Sequence, residues 1–322
     1  MKPSDAVPFY IAQVAPERWP RIRRIVDALA DNAQRAPWQS ILDGLLEGRL
    51  DAAGLLEARG ATQAAEVDPP FGVVWIQRQD GRVANLLPPI VSLPPSFATH
   101  PLEALARELL EAAVRIAAAG GARLVQALLE PHASDLVKDF QQAGFQQVAE
   151  LLYLVSSAEV FPTAPPAEQL QFEPWSITAG ARLESMVERT YLATRDCPQL
   201  NGIRLTAEVL AGYRSAGPFD PRRWLLVRHA GEDVGCLILV AHPQKIWELA
   251  YMGLTPEARG HGWGLDITRH GQWLAGQAGA NRFVLAVDAT NAPALRAYAA
   301  AGLTAWDRRG AWLRILEPAN TS

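Results

Sequence analysis

The apolar and polar positions in the second half of the chain predict a mixed sheet flanked by helices. A run with few charges, 247–254, resembles a central strand, and a turn-forming cluster at 231–233 joins two strands into a hairpin. The predicted strands are 171–175, 224–229, 234–241, 247–254, 283–288, 303–306 and 311–316, and the predicted helices are 178–193, 206–214, 265–278 and one that begins at Ala292. Early hairpins followed by alternating strands and helices are typical of an α/β (α+β) sandwich.

The first half of the chain repeats this order near its end. Its predicted elements are a strand at 82–87, an alanine-rich helix at 102–119, a strand at 124–129, a helix that ends at Gln142, and an Ala-Gly pair at 143–144. The second half has a matching Ala-Gly pair at 301–302. Such self-similarity predicts a duplicated domain. We therefore expect two tandem domains, each a mixed, mostly antiparallel sheet flanked by helices.

A proline-rich segment separates the two halves. Three prolines fall between Phe161 and Glu168 without apolar periodicity, as in an extended linker. The predicted organisation is a first domain at 1–158, a linker at 159–170 and a second domain at 171–316, and both domains have an ordinary size.

Composition and charge argue against several classes of partner. The chain has 322 residues and a net charge of −4, so it lacks the basic balance of a nucleic-acid-binding protein or a polybasic membrane anchor. The most apolar helical stretch, 105–119, contains four charged residues and is not expected to span a bilayer. Two cysteines and an N-terminus without an apolar leader predict a cytoplasmic protein. We expect no metal, and the oligomeric state stays open.

A glycine-rich turn follows the predicted central strand. Gly260, Gly262 and Gly264 alternate between Arg259 and a predicted helix. Glycines let backbone approach a ligand closely, and amides at a helix N-terminus favour an anion such as a pyrophosphate. Arg259 would add a charge-assisted contact. The spacing does not fit a dinucleotide-binding turn, and a tight connection without a ligand is the alternative.

A second group of polar residues lies further along the chain. Asn291 falls at a strand end, where it would be the N-cap of the next helix, and Pro293 suits the first helical turn. Tyr298 is two helical turns after Asn291, so the two side chains share one helix face. A plain N-cap and a half-buried core aromatic are the alternative interpretations.

Together the two motifs resemble those of the GNAT superfamily of N-acetyltransferases. The stretch 259–264, Arg-Gly-His-Gly-Trp-Gly, resembles its coenzyme A signature, Arg/Gln-x-x-Gly-x-Gly/Ala, and Asn291-x-x-Ala294-x-x-x-Tyr298 resembles its second signature. The resemblance covers 171–316. It implies acetyl-CoA as co-substrate and a primary amine of a small molecule or peptide as acceptor. The tandem arrangement resembles that of the mycothiol synthases, in architecture alone.

The resemblance also implies a coenzyme A site. The strand from Glu248 to Leu254 is expected to splay from its neighbour, so that its backbone pairs with pantetheine. The implied contacts are those of Met252, Gly253, Leu254, Arg259, Gly260, His261, Gly262, Trp263, Gly264, Asn291 and Tyr298. Trp263 is bulkier than the aliphatic residue usual at its position, and we expect it to pack beneath the helix.

Two residues are the implied catalytic groups. Tyr298 would protonate the leaving thiolate, and Glu248 would deprotonate the amine directly or through water. A surface or salt-bridged glutamate is an equally good interpretation of Glu248. The loop 194–202 would shape the acceptor groove, where Asp196 could hold a cationic amine beside Cys197; a solvated loop is the alternative.

Two other functions compete with acetyl transfer. The chain could transfer a longer acyl group, or it could be a non-catalytic acetyl-CoA sensor or interaction protein. Tyr298 favours catalysis over the second, because a protein that only binds acetyl-CoA does not need the phenol.

The first half is expected to be a degenerate copy that binds no coenzyme A. The stretch 88–101 contains no glycine, and its prolines lack the N–H that a phosphate site requires. Aligning the Ala-Gly pairs sets Phe140 opposite Tyr298 and Ala133 opposite Asn291, so the phenol and the amide are both missing.

Overall fold

The computed structural model describes residues 9–30, 32–60, 70–92, 102–166, 169–200 and 202–316. Its strands are β1 (Phe9–Gln13), β2 (Leu55–Gly60), β3 (Gly72–Gln79), β4 (Val83–Val91), β5 (Leu124–Leu129), β6 (Gln146–Ser157), β7 (Gln171–Pro174), β8 (Trp224–His229), β9 (Glu232–His242), β10 (Ile246–Leu254), β11 (Arg282–Asp288) and β12 (Thr304–Ile315). Its helices are α1 (Trp19–Leu29), α2 (Asn32–Leu46), α3 (Leu102–Ala119), α4 (Ser134–Gln142), α5 (Ile177–Tyr191), α6 (Thr206–Ser215), α7 (Trp263–Gln277) and α8 (Ala292–Ala300).

The chain forms two compact units, one made of Met1–Gln147 with Ala311–Ser322 and the other of Val148–Gly310. The division therefore falls within β6 and within β12, and the predicted linker at 159–170 lies inside the second unit, except for 167 and 168, which are outside the described residues. These bounds differ from those proposed from the sequence because strand pairing, not proline content, determines where the units separate.

The second unit is a sheet with helices on both faces. Its strands run in the order β7-β8-β9-β10-β11-β6, and every neighbouring pair is antiparallel except β10 and β11. Successive residues of β9 point to opposite faces. Leu237 and Leu239 pack with Ile267 of α7 on one face, whereas Cys236 packs with Val187 of α5 on the other.

The first unit has the same layers. Its strands run β1-β2-β3-β4-β5, followed by the end of β12, and β4 and β5 form a parallel pair. On one face Val74 packs in a core with Leu109 of α3 and Phe140 of α4. On the other, Trp75 packs with Trp38 of α2. No helix among the described residues is both long and apolar enough to cross a membrane.

Local chemistry determines where several elements of the second unit begin and end. The Ser176 hydroxyl accepts a hydrogen bond from Ala179 N (3.1 Å) and caps α5. The β8–β9 turn places Ala230 and Gly231 at φ of 49° and 88°, the left-handed pair that tight hairpins use. Gly279, at a φ of 73°, terminates α7.

The two units match in detail, as a duplication predicts. In each, the parallel pair is hydrogen-bonded over three residues: Val83–Asn85 with 124–126, and Ile246–Glu248 with 282–284. The helices α4 and α8 both have nine residues, and Phe140 and Tyr298 are the seventh residue of each. The residues immediately before these two helices, Ala133 and Asn291, share one backbone conformation, with φ/ψ of −77°/60° and −79°/67°.

Two predicted elements need correction. β4 continues through Pro88 and Pro89 to Val91, beyond the predicted end at Leu87. The prolines are tolerated because the β4–β5 ladder has already ended at Asn85, so their missing N–H groups break no bond on that side. The rest of the glycine-free stretch, 93–101, lies outside the described residues.

The second correction concerns the end of the chain. The two predicted strands at 303–306 and 311–316 are one continuous strand, β12. The predicted break at 307–310 is therefore absent. Instead the segment stays extended beside β6, where Arg308 forms an ion pair with Glu150 (2.9 Å).

A buried ion pair in the first unit generates a prediction about stability. Glu57 is fully buried on β2 and accepts hydrogen bonds from Arg18 Nε (2.6 Å) and Nη2 (2.8 Å). Glu57→Ala would remove the carboxylate that faces the buried Arg18 charge, and we expect the free energy of unfolding to fall by about 3–5 kcal/mol in urea denaturation. The matched control is Glu47→Ala, whose ion pair with Arg49 is exposed and whose loss should cost less than about 1 kcal/mol. Equal effects would contradict the prediction.

Candidate active site

The turn before α7 has the backbone that its glycines suggested. Gly260 and Gly262 have φ of 86° and 82°, a left-handed conformation that L-residues with a Cβ rarely adopt. No atom lies within 4 Å of the place where a Cβ would stand at either position. Alternating left-handed residues turn successive amides toward one concavity, which suits an anion.

The first amides of α7 are available to a ligand. A helix leaves its first four N–H groups without an intrahelical acceptor. Leu265 N donates to Gly262 O (3.0 Å). Among the described residues, the amides of Gly262, Trp263 and Gly264 have no such backbone acceptor outside the helix ladder. Their dipoles, added to that of the helix, make the turn electropositive.

Arg259 is engaged within the protein. Its guanidinium donates to three carbonyl oxygens, those of Thr190 (2.9 Å), Ala193 (2.9 Å) and Leu254 (3.2 Å). The side chain thus caps the C-terminal end of α5 and ties it to the end of β10. This differs from the expected contact with a pyrophosphate, since the charge is directed at these carbonyls.

Trp263 packs beneath the helix, as expected. It is 8% exposed and belongs to the core on the α7 face. Its ring centroid is 4.8 Å from that of His261 and 4.6 Å from that of His229. The bulky side chain therefore fills the space below the turn and leaves the open side of the amides clear.

β10 splays from β11 as the resemblance implied. The last paired residues are Glu248 and Val284, yet β10 continues to Leu254 and β11 to Asp288. A β-bulge between Leu249 and Tyr251 in the β9–β10 ladder accompanies the divergence, and bulges bend the strand that carries them. The result is an open backbone edge on the far half of β10.

Alternation along β10 decides which residues face the open edge. Thr255 N donates to Val234 O (3.0 Å), on the β9 side. Because backbone groups alternate sides along a strand, Gly253 also faces β9, and Met252 and Leu254 face the gap. Leu254 O accepts from Arg259, which leaves Met252 with the most open backbone groups.

The glycine at 253 has a packing role. A Cβ there would stand 2.6 Å from both Cβ and Oγ1 of Thr190. The absence of a side chain therefore lets α5 lie close against β10, which a larger residue would prevent.

Glu248 lies at the vertex of the splay and has a partner that the sequence did not reveal. Its Oε2 is 2.6 Å from His242 Nε2, and both side chains are about one-third exposed. The contact with His242 fits the interpretation of Glu248 as a paired glutamate. The partial exposure of Glu248 also leaves its carboxylate accessible to a substrate. His242 stands opposite Ile246 in the β9–β10 ladder. The short spacing of His242 and Glu248 across a tight hairpin was the sequence signal that could have revealed this pair.

Asp196 holds the predicted acceptor loop against the end of β11. Its Oδ1 accepts from Asp288 N (3.1 Å), and the Asn291 side chain also hydrogen-bonds to it. Cys197 N donates to Asp288 Oδ2 (3.2 Å). The carboxylate of Asp196 is thus engaged, and burial raises its pKa. Asn201, in the same predicted loop, is outside the described residues.

Asp288 was missed because a single aspartate at a strand end carries no distinctive pattern. It is 4% exposed, and its Oδ1 accepts from both Thr290 N (2.8 Å) and Thr290 Oγ1 (2.7 Å). With Asp196 it joins the loop to the start of α8.

Asn291 and Tyr298 lie on α8 as predicted. Asn291 is the N-cap, and its Oδ1 accepts from Ala294 N (3.4 Å). Tyr298 is buried in the core that contains Trp263. Burial, and to a lesser degree the charge of Asp196, raise the pKa of the Tyr298 phenol well above its usual value, so the hydroxyl keeps its proton at neutral pH.

Cys197 is placed beside Asp196 without the properties of a nucleophile. It is half-buried and has a left-handed φ of 43°. Burial, followed by the charges of Asp196 and Asp288, raises the pKa of its thiol to about 12. Since the thiolate is the reactive form, the thiol is inert at neutral pH.

Comparison with known proteins points to one family. Residues 189–303 match the acetyltransferase (GNAT) family. A mycothiol acetyltransferase of Arthrobacter sp. (strain FB24) is 28% identical over 186 residues, which cover 54% of each chain. The matched segments span from 29% to 62% of the length of the curated relatives.

Solved structures resemble the whole chain. A GCN5-related N-acetyltransferase from Sphaerobacter thermophilus has a TM-score of 0.63 at 17% identity, with 98% of each chain covered. A tandem GNAT protein from the clavulanic acid biosynthesis pathway has a TM-score of 0.51 at 14% identity. The match covers 97% of this chain and 100% of that protein. At these identities the likeness shows the fold, that of two tandem GNAT domains. The residues that match the acetyltransferase (GNAT) family all lie in the second unit of this chain.

Proposed function

We propose that the chain is an acetyl-CoA-dependent N-acetyltransferase that acts on a primary amine of a small molecule or peptide. The observation that carries the proposal is the pair of open features in the second unit. The unpaired amides at the start of α7 suit a pyrophosphate, and the free edge of β10 offers backbone groups to the amides of pantetheine. Relatives named mycothiol acetyltransferases favour acetyl as the transferred group.

The chemistry divides among three groups. Glu248 takes a proton from the acceptor amine, directly or through water, because only a neutral amine is nucleophilic. The nitrogen attacks the thioester carbonyl and forms the C–N bond, and a backbone N–H on the open edge of β10 stabilises the oxyanion. The C–S bond then breaks, Tyr298 gives its proton to the departing thiolate, and the proton that the nitrogen loses as the amide forms restores the phenol.

The environments of the two catalytic groups fit these roles. The Tyr298 phenol, with a pKa raised by burial, is protonated before the reaction and can act as the acid. Glu248 is partly exposed and hydrogen-bonded to His242, which can pass a proton on toward solvent. The first unit has Asn85 where the second has Glu248, and Phe140 where it has Tyr298.

The first prediction concerns coenzyme binding. In Gly262→Ala a methyl group would enter the open side of the turn, and we expect acetyl-CoA affinity to fall by roughly tenfold or more, equivalent to about 1.4 kcal/mol. Gly279→Ala is the matched control, because it imposes a similar left-handed strain at the other end of α7, with equally open surroundings. Calorimetry measures both.

The same titration reports stoichiometry. We expect one acetyl-CoA per chain, since the first unit lacks the equivalents of Glu248, Asn291 and Tyr298. Two sites per chain, or equal affinities for the Gly262 and Gly279 variants, would contradict the proposed site.

The second prediction concerns the acid. Tyr298→Phe removes one hydroxyl from a packed ring, so acetyl-CoA affinity should persist while kcat falls by ~10²–10⁴-fold. The assay follows release of the coenzyme A thiol with a panel of amines. An unchanged kcat would remove Tyr298 from the mechanism. Wild-type protein that binds acetyl-CoA and acetylates no amine would favour the non-catalytic sensor.

The third prediction concerns the base. Glu248→Gln keeps the size of the side chain but cannot accept a proton, so kcat/KM should fall by ~10²–10⁴-fold and the acid limb of its pH profile should shift. Glu257→Gln is the control, because its carboxylate is 74% exposed and its ion pair with Arg189 is long, at 3.8 Å. If Glu248→Gln leaves the pH profile of kcat/KM unaltered, a water chain, and not Glu248, takes the proton from the amine.

A further inference from the structure

Three tyrosines meet on the α5–α6 side of the second unit, next to the open edge of β10. The ring centroid of Tyr251, on β10, is 5.7 Å from those of Tyr191, on α5, and Tyr213, on α6. These three residues are called the tyrosine cluster below. Tyr251 Oη is also 2.7 Å from Thr190 Oγ1. Because Tyr251 lies just beyond the vertex at Glu248, the cluster borders the place where the acceptor amine must be deprotonated.

Arg204 lies against this cluster with unused hydrogen-bonding capacity. It is half-buried just before α6, and its Nη2 donates to Glu208 O (2.7 Å). Its Nε is fully buried and has no hydrogen-bond partner within the described ranges, and no salt bridge to Arg204 is found there. Leaving such a group unsatisfied costs about 1–3 kcal/mol. An unpaired, buried guanidinium N–H beside the tyrosine cluster indicates a missing anionic acceptor.

The electrostatic surroundings show which groups already act on Arg204. Burial lowers the pKa of Arg204, and the neighbouring Tyr213, Glu208 and Tyr191 act in the opposite direction. The Glu208 carboxylate is already hydrogen-bonded to Leu205 N (3.2 Å). Burial raises the pKa of the Tyr191 and Tyr213 phenols; the charge of Arg204 lowers both, and the charge of Asp196 raises both. The neighbours of Arg204 are thus two protonated phenols and one carboxylate that already has a partner, so the buried Nε–H is left to one further acceptor group.

We propose that the acceptor amine carries a carboxylate, and that Arg204 binds it beside the tyrosine cluster. This inference rests on the proposed acetyl transfer. Nε–H and a second guanidinium N–H form the planar fork that fits the two oxygens of a carboxylate. The tyrosine rings then contact the apolar part of the acceptor, and the bound carboxylate directs the amine toward Glu248. The substrate class is therefore an amino acid, or a peptide with its terminal carboxylate close to the amine.

The first test measures anion binding without any need for turnover. Benzoate is titrated into the full chain while the Nε–H resonance of Arg204 is followed by NMR, with neutral benzamide as the matched probe. Benzoate should shift this resonance to saturation, and benzamide should not. Arg204→Met should weaken benzoate binding by roughly 10–100-fold, whereas Arg189→Met, at an exposed site on α5, should not change it. Thermal melting verifies that both variants fold.

The outcomes of this titration are decisive. A resonance that benzoate leaves unchanged, or equal benzoate affinity in Arg204→Met and wild type, would overturn the proposal. Inorganic phosphate that binds more tightly than benzoate at the same resonance would also overturn it, in favour of a phosphorylated acceptor. Arg204→Lys keeps the charge but loses the fork, and should recover part of the affinity.

The second test separates this proposal from the proposed function. Acetylation of L-leucine and L-leucinamide is compared in wild type and in Arg204→Met, with acetyl-CoA affinity measured alongside. The carboxylate site is supported if wild type prefers L-leucine to L-leucinamide and Arg204→Met loses this preference through a higher KM for L-leucine. Equal acetylation of L-leucine and L-leucinamide would contradict the carboxylate site without contradicting acetyl transfer. Benzoate binding at Arg204 without acetylation of any amine would contradict acetyl transfer without contradicting the anion site.

Discussion

The divergence of β10 from β11 after Glu248 is the constraint on which the rest of the second unit depends. A parallel pair that stayed hydrogen-bonded would leave no backbone edge for a ligand to enter. Once the ladder ends, unpaired N–H and C=O groups require other partners. Some find them inside the protein, as Leu254 O does with Arg259. Others, as at Met252, stay available, and the site is organised around them. The bulge beside Tyr251 is the local distortion that accompanies this arrangement.

The first unit makes the same divergence and yet carries different chemistry. β4 leaves β5 after Asn85, and Gln126 Nε2 donates to Asn85 Oδ1 (2.6 Å) at the vertex. An amide pair thus occupies the position at which the second unit has its carboxylate. The splay is consequently a property of the fold, whereas activity depends on a few side chains added to it. Retention of the backbone geometry without those side chains is consistent with a structural role for this unit.

Much of the fold and of the local structure of the candidate site could be predicted because the signals are local. The left-handed positions at Gly260 and Gly262, the N-cap at Asn291 and the helix-face partner Tyr298 all lie within short segments. The remaining features depend on contacts between distant segments. Arg259 meets carbonyls 66 and 69 residues away, and Asp196 meets an amide 92 residues away. No periodicity encodes such pairs. The two strands predicted at 303–306 and 311–316 proved to be one for a similar reason, since pairing with a neighbouring strand keeps the whole segment extended.

The guanidinium of Arg259 has a consequence for how the two halves of the site communicate. It joins the turn that precedes α7 to the last carbonyls of α5, and the loop that follows α5 leads to Asp196 and Arg204. Any shift of the turn must therefore either carry the end of α5 with it or break charge-assisted hydrogen bonds. Events at the donor and at the acceptor are linked in free energy through one side chain, and linkage of this kind is reciprocal. Occupancy at one end would thus bias geometry at the other, and the proposed transferase would have a physical basis for an order of substrate addition.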